Sequence, residues 1–168
     1  GSLLAWGTDR EADAPAVDTI APDKIARLSD VLASLAKQGF TVAILDTPGI
    51  ASTTTNLAMK AADINIIPSR PAILDLRASR PTVEALVSLK RPFAFLLNQC
   101  PVRSGRSSEA AAGLAMLGMM AQPYITQRAD FQDAVATGQG VTEYAPTSKA
   151  AEEIRQLWEW INKQMKGK

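Results

Sequence analysis

Three short apolar runs end in residues that can do chemistry. The first, Thr41-Val42-Ala43-Ile44-Leu45-Asp46, stops at a carboxylate followed by Thr47-Pro48-Gly49. A carboxylate closing an apolar strand can hold Mg²⁺, because the hard cation takes oxygen ligands and keeps much of its hydration. Asp46 would serve equally well as a turn cap. The second run ends in Pro68-Ser69-Arg70-Pro71, with Asp75-Leu76 beyond it, and Asp75 reads most simply as a helix cap. The third ends in Leu97-Asn98-Gln99-Cys100-Pro101. The Asn98 amide carries both a donor and an acceptor and can read a purine edge, although alone it reads more simply as a turn residue.

Composition removes other chemistries. With no histidine, His-based triads and His-ligated zinc are excluded, and the single cysteine, Cys100, forms no internal disulfide and reads as a buried structural thiol in a reducing compartment. Eighteen basic residues against seventeen acidic ones leave a charge of +1, so any DNA contact must come from a local patch. Such a patch exists between Arg77 and Arg106, where Arg77, Arg80, Lys90, Arg91, Arg103 and Arg106 are opposed only by Glu84. Clustered cations bind phosphate backbones nonspecifically and with strong salt dependence; a solvated helix face accounts for the same residues. No apolar run reaches the ~18 residues of a membrane span, and the start does not read as a signal peptide, so a cytoplasmic protein is expected.

The elements that position these residues follow from periodicity. Across 168 residues, 46% hydrophobic and 21% charged, one globular domain over 1–168 is expected. Residues 9–23 read as a surface connection. Ile25, Leu28, Leu32 and Leu35 mark a helix face, with Pro22 in its first turn and Gly39 at its end. Thr41–Asp46 then reads as a buried parallel strand. A helix over 56–62 precedes a strand over 64–67, and a helical segment over 74–89, kinked or restarted at Pro81, precedes a strand over 93–97. A helix over 109–117, ended by Gly118, precedes a short Tyr124-Ile125 strand; a helix over 130–136 comes next. The last helix is capped by Ser148 and carries the stripe Ile154, Leu157, Trp158, Ile161 and Met165. Helices alternating with apolar strands imply a parallel sheet covered on both faces, with ligands at the carboxyl ends of its strands.

Taken together, Ile44-Leu45-Asp46-Thr47-Pro48-Gly49, Ala62-Asp63-Ile64 leading to Ile67-Pro68-Ser69-Arg70-Pro71 and Asp75-Leu76, Leu96-Leu97-Asn98-Gln99, and Ile125-Thr126-Gln127-Arg128 with Phe131 resemble, in order and spacing, the ParA/MinD family, and most closely its ParF-like partition proteins. Gly1-Ser2-Leu3-Leu4-Ala5-Trp6 is similar to the stretch after that family's Asp-Pro-Gln motif, as if the chain had been cut from something longer. The resemblance implies a P-loop NTPase-like three-layer α/β sandwich with a mainly parallel sheet. It further implies a homodimer closed around ATP and Mg²⁺, nonspecific DNA binding while closed, nucleoid association, a ParB-like or other ATPase-stimulating partner, and no membrane. On that pattern Asp46 is the Walker B carboxylate, catalytic and metal-organising, and Thr47, Pro48 and Gly49 open a switch region reaching Thr55. Asn98, Pro123 and Ile125 line the adenine pocket. Arg103, Arg106 and Arg128, with Lys149 behind them, bind DNA. Ser52 to Thr55 can also simply cap the helix at Asn56.

One departure stands against these matches. No Gly-x-x-x-x-Gly-Lys-Ser/Thr segment occurs in the chain, so the loop whose amides wrap the phosphates, with its strand and helix, is lacking. The chain alone is therefore expected to be inactive. The resemblance also admits a MinD-like positioning ATPase and a non-catalytic binding module.

Overall fold

The computed structural model describes residues 2–21, 23–49, 52–103 and 105–166. In chain order its elements are α1 (Ser2–Asp9), a 3-10 turn (Ile25–Arg27), α2 (Leu28–Lys37), α3 (Thr53–Ala61), β1 (Asn65–Ser69), α4 (Ile73–Ala78), α5 (Arg80–Ser88), β2 (Phe93–Leu97), α6 (Arg106–Ala115), β3 (Met119–Met120), α7 (Ala129–Ala136), α8 (Val141–Tyr144) and α9 (Lys149–Lys166). The expected first-turn role of Pro22 lies outside the described residues. Two compact units emerge, one of Gly1–Thr19, Ile66–Ser79 and Phe93–Lys168, the other of Ile20–Asn65 and Arg80–Pro92.

The larger unit is built on the sheet, with strand order β1-β2-β3. β2 runs parallel to β3 with Ala94 opposite Met119 and Phe95 opposite Met120. Ala94 and Leu96 join a buried cluster with Ala121, Ile125 and Leu157, ringed by Ile154, Trp160 and Ile161 of α9. The alternate residues Phe95 and Leu97 are fully buried as well, and α6 packs on β2. This period-2 split places helices on both faces, the expected α/β layering. Gly118 is needed here, since a Cβ would lie 2.7 Å from the Phe93 ring. At the start of α9 the Ser148 hydroxyl accepts the Ala151 N–H at 3.1 Å, as its position in the sequence implies.

Two features of this unit have no counterpart in the sequence pattern. Residues 2–9 form a helix, and the residues after it are bolted to α8: the Arg10 guanidinium lies 4.7 Å from the Trp6 ring centre and donates to both Glu143 oxygens at 2.9 and 2.7 Å. Trp6 Nε1 also donates to the Gln139 carbonyl at 3.2 Å. Arg10 and the Gly140 N–H together hold the Glu143 carboxyl down at about 2, against a smaller upward push from burial. The Tyr124-Ile125 strand is corrected: the ladder partner of β2 is Met119–Met120, and Pro123, which has no N–H to donate, interrupts the pairing. Pairing resumes beyond it, where the Ile125 N–H donates to the Leu97 carbonyl at 2.9 Å and Thr126 bridges Cys100.

In the smaller unit α2 ends in a Schellman motif, with the Phe40 N–H on the Leu35 carbonyl, the Gly39 N–H on the Ala36 carbonyl, and Gly39 at φ +94°. The Ser52 hydroxyl caps α3, accepting the Thr55 N–H at 3.1 Å. Pro81 sits in the first turn of α5, where its missing N–H costs nothing, so the helix restarts there as expected. The buried strand expected over 41–46 does not form. The segment is irregular, joins no ladder among the described residues, and leaves Ile44 84% exposed. A parallel strand exists only through hydrogen bonds to neighbours, and apolar composition cannot supply them.

Candidate functional site

The carboxyl ends of β1 and β2 frame a polar cavity of about 230 Å³ lined by Pro68, Ser69, Arg70, Asp75, Asn98 and Gln99. Asn98 is carried there because β2 is buried from Ala94 to Leu97 and the Asn98 N–H donates to the Ser69 carbonyl at 2.9 Å. The Asn98 Oδ1 accepts the Gln99 N–H at 2.9 Å, with Gln99 in the left-handed region at φ +53°, so the amide's donor end stays available to a ligand. Asp75 is not a helix cap. It is the third residue of α4 and chelates Arg70, whose Nε and Nη2 donate to its two oxygens at 2.6 and 3.0 Å. That fork holds the Asp75 carboxyl below the usual carboxylate range and raises the Arg70 guanidinium. The sequence pattern contains Arg70 and Asp75 within one motif but does not disclose their pairing. A five-residue separation across a turn is the available signal.

The structure does not bring the three expected base-pocket residues together. Ile125 is 4% exposed, packed in the core beside Ala94 and Leu157. Pro123 lines a separate cleft of about 440 Å³ with Gln122, Gln156, Glu159, Trp160 and Lys163. Of the three, only Asn98 lines the polar cavity.

Arg128 is held by a carboxylate of α9. Its Nη2 donates to Glu153 at 2.7 Å, and the same carboxylate accepts the Thr126 N–H and hydroxyl at 3.0 and 2.9 Å. Burial pushes the Glu153 carboxyl up, but these three donors outweigh it and hold it below its ordinary range. An arginine committed to a partly buried carboxylate pins the 126–128 turn to α9 and is poorly placed to leave for a phosphate. Arg103 and Arg106 are exposed, Arg106 at the first residue of α6. Lys149 is exposed at the first residue of α9, where the helix dipole opposes a cation. In the rest of the basic cluster, Arg80 pairs with Glu84 at 2.8 Å and Arg91 donates to the Ala62 carbonyl.

In the smaller unit Asp46, Thr47, Pro48 and Gly49 are exposed and irregular; the switch segment between Gly49 and Ser52 lies outside the described residues. No cluster of three or more metal-binding side chains occurs among the described residues. A single carboxylate still fits Mg²⁺, which is commonly held by one or two carboxylates together with substrate phosphates and water. Cys100 is buried, and that burial raises its thiol above the ordinary value, as expected of a structural cysteine.

No protein-family model matches the sequence, and no curated protein does. Solved structures do. The cell division ATPase MinD of Pyrococcus furiosus superposes with a TM-score of 0.68 at 25% identity, over 88% of this chain and 63% of that one. The chain carries the MinD/ParA ATPase fold. The septum site-determining protein MinD of Pyrococcus horikoshii, solved with Mg-ADP, gives 0.66 at 23% identity over 88% of this chain and 61% of its own. A ParA family ATPase from Chlorobium tepidum gives 0.65 at 21% identity over 92% and 66%. The chain thus spans under two thirds of the length of each of these MinD/ParA structures. No helix among the described residues is long and apolar enough to cross a membrane.

Proposed function

We propose that this chain acts in ATP-dependent DNA partitioning, as a ParA-type switch that dimerises with nucleotide and binds DNA nonspecifically. The observation that supports this reading best is the polar cavity holding Asn98 at the carboxyl ends of β1 and β2 in a MinD/ParA fold. Asn98 would read the adenine edge through its free amide donors, and Asp46 would serve as a Mg²⁺ ligand. Magnesium would neutralise charge developing on the transferred phosphoryl group. The exposed Arg103 and Arg106 would meet the DNA backbone, and a ParB-like partner would stimulate turnover.

Most of the charge of ATP lies on its phosphates, and no phosphate-wrapping loop occurs in these 168 residues. The chain alone therefore binds Mg-ATP in the millimolar range or weaker, about −4 kcal/mol, and hydrolyses none above background. Titration calorimetry tests this, and micromolar affinity would mean a phosphate site elsewhere in the fold. For the DNA half of the proposal, changing Arg103 and Arg106 together to alanine should weaken duplex binding uniformly across sequences and flatten its salt dependence; an unchanged slope removes these arginines.

A second reading, a MinD-like positioning ATPase, is favoured by the slightly higher TM-scores of the two MinD structures. Against it, the apolar stripe of α9 is used internally, with Leu157 buried and Ile154 and Ile161 packed on the core. Sedimentation with anionic liposomes separates the two readings.

A further inference from the structure

Two long-range clamps in the larger unit differ in what they reach. The Arg10–Glu143 pair draws in Trp6, Gly138 and Gly140, none of which lines the polar cavity at the strand ends. The Glu153 clamp leads directly to that cavity. Glu153 stands on α9 between Ala151 and Leu157, both buried, so the core fixes its backbone. Its side chain, 16% exposed, accepts the Thr126 N–H at 3.0 Å, the Thr126 hydroxyl at 2.9 Å and Arg128 Nη2 at 2.7 Å. The segment held in this way is laced to the end of β2. Thr126 forms a parallel bridge with Cys100, the Cys100 N–H donates to the Ile125 carbonyl at 2.9 Å, and the Gln127 N–H donates to the Cys100 carbonyl at 2.9 Å. Next to Cys100 stands Gln99 at φ +53°, a conformation that a residue other than glycine keeps only when its surroundings fix it. The Gln99 N–H is what the Asn98 Oδ1 accepts at 2.9 Å, and both residues line the cavity.

We infer that Glu153 is a positioning residue for the base site, setting the orientation of the Asn98 amide through residues 125–127 and the Gln99–Cys100 turn. This role rests on the reading, proposed above, of Asn98 as the group that meets the base. Glu153 itself touches no ligand in it. A carboxylate suits the task because one oxygen takes the Thr126 N–H while the other takes the hydroxyl and the guanidinium, so three donors are fixed against one rigid helix. Without Glu153 the Thr126 N–H must turn to water, the bridge to Cys100 loosens, and Gln99 is free to leave the left-handed region. The Asn98 Oδ1 then loses its fixed donor. Its amide spreads over the broad range of its last torsion, only part of which presents the NH₂ group to the cavity.

Adenosine is the probe, because it offers the base without the phosphates, for which these residues hold no wrapping loop. Titration followed in ¹H–¹⁵N correlation spectra of the full chain should move the Asn98 side-chain amide signal, with a Kd in the millimolar range. Glu153→Ala should weaken that binding about fivefold, within the range for residues that act through a hydrogen-bond network, and should shift the Asn98 and Gln99 signals before any adenosine is added. Glu153→Gln still accepts from Thr126 and should restore part of the affinity. Glu143→Gln releases the other clamp and should lower stability while leaving the Kd unchanged. Asn98→Ala should abolish binding. Unchanged affinity in Glu153→Ala beside a loss in Asn98→Ala overturns the positioning role alone, as does equal weakening by Glu153→Ala and Glu143→Gln, which would make the effect one of general stability. Binding that survives Asn98→Ala, or no binding by the unsubstituted chain, overturns the reading of the site and the positioning role with it. Where circular dichroism shows Glu153→Ala unfolded, Thr126→Val removes the hydroxyl bond alone and should weaken adenosine about twofold; unchanged affinity there overturns the role of the clamp.

Discussion

Phe93-Ala94-Phe95-Leu96-Leu97 and Thr41-Val42-Ala43-Ile44-Leu45 are five-residue apolar runs of similar character, each succeeded by a polar residue suited to a ligand. β2 has a strand on either side and helices on both faces, and Ala94, Phe95 and Leu97 are wholly buried. The other run has no ladder partner among the described residues, and Ile44 stays 84% exposed. The same contrast extends to the residues after each run. Asn98 to Cys100 are tied to Ser69, Ile125 and Gln127 by backbone hydrogen bonds, so the Asn98 amide is aimed. Asp46 to Gly49 have no such ties among the described residues, and the Asp46 carboxylate has the chemistry of a metal ligand without a fixed geometry. A strand-end residue becomes a site residue only when its neighbours hold it.

Substitution at matched positions gives the sharpest test of this contrast. Phe95→Ala opens a cavity in a fully packed layer and should cost about 3–5 kcal/mol of unfolding free energy in urea titrations. Next in size is Glu153→Ala, which strands Arg128 and the Thr126 N–H at the turn that ends the β2 neighbourhood; a loss of about 2 kcal/mol is expected, with Glu153→Gln recovering part of it through the Thr126 bonds. A loss under about half a kcal/mol, on the order of a surface substitution, would mean that water replaces the clamp.

A smaller, pH-dependent effect separates the anchored amino-terminal helix from the unanchored run. Glu143 has its carboxyl lowered from the usual 4.5 to about 2 by Arg10 and the Gly140 N–H. A depressed carboxyl contributes stability that is present above its unfolded value and lost as pH falls through the folded one, so the contribution fades between pH 4.5 and about 2. Thermal melts of the protein and of Glu143→Gln should therefore differ at neutral pH and converge toward pH about 2. A constant offset over that range would separate the Arg10 pairing from stability. Smallest of all is Ile44→Ala, expected within about 0.5 kcal/mol in dilute protein; a core-like loss would show that the run is buried after all.

Legibility tracks locality. The break at Pro81, the Ser148 cap and the Gly39 ending rest on interactions within a few residues, and each can be read from the chain. The Arg10–Glu143 latch spans 133 residues, and the Glu153 clamp on Thr126 and Arg128 spans 27 and 25. No local pattern encodes such pairings. The family resemblance implies a pocket shared by Asn98, Pro123 and Ile125, yet Pro123 lines a different cleft and Ile125 turns into the core. The rest of the site is partly legible: Asn98 stands out by its place at a strand end, while Arg70 and Asp75 are in view without their pairing.

Composition, periodicity and short-range backbone rules are properties of neighbouring positions, and from them come the α/β alternation, the absence of histidine and disulfide chemistry, and the lack of a phosphate-wrapping motif within these residues. Long-range packing settles which apolar run becomes a strand, which arginine is tied to a carboxylate, and which polar side chains come to share a cavity. A strand is completed only by hydrogen bonds to other strands, and a charge is committed only by a partner at contact distance, so both depend on residues far away in the chain.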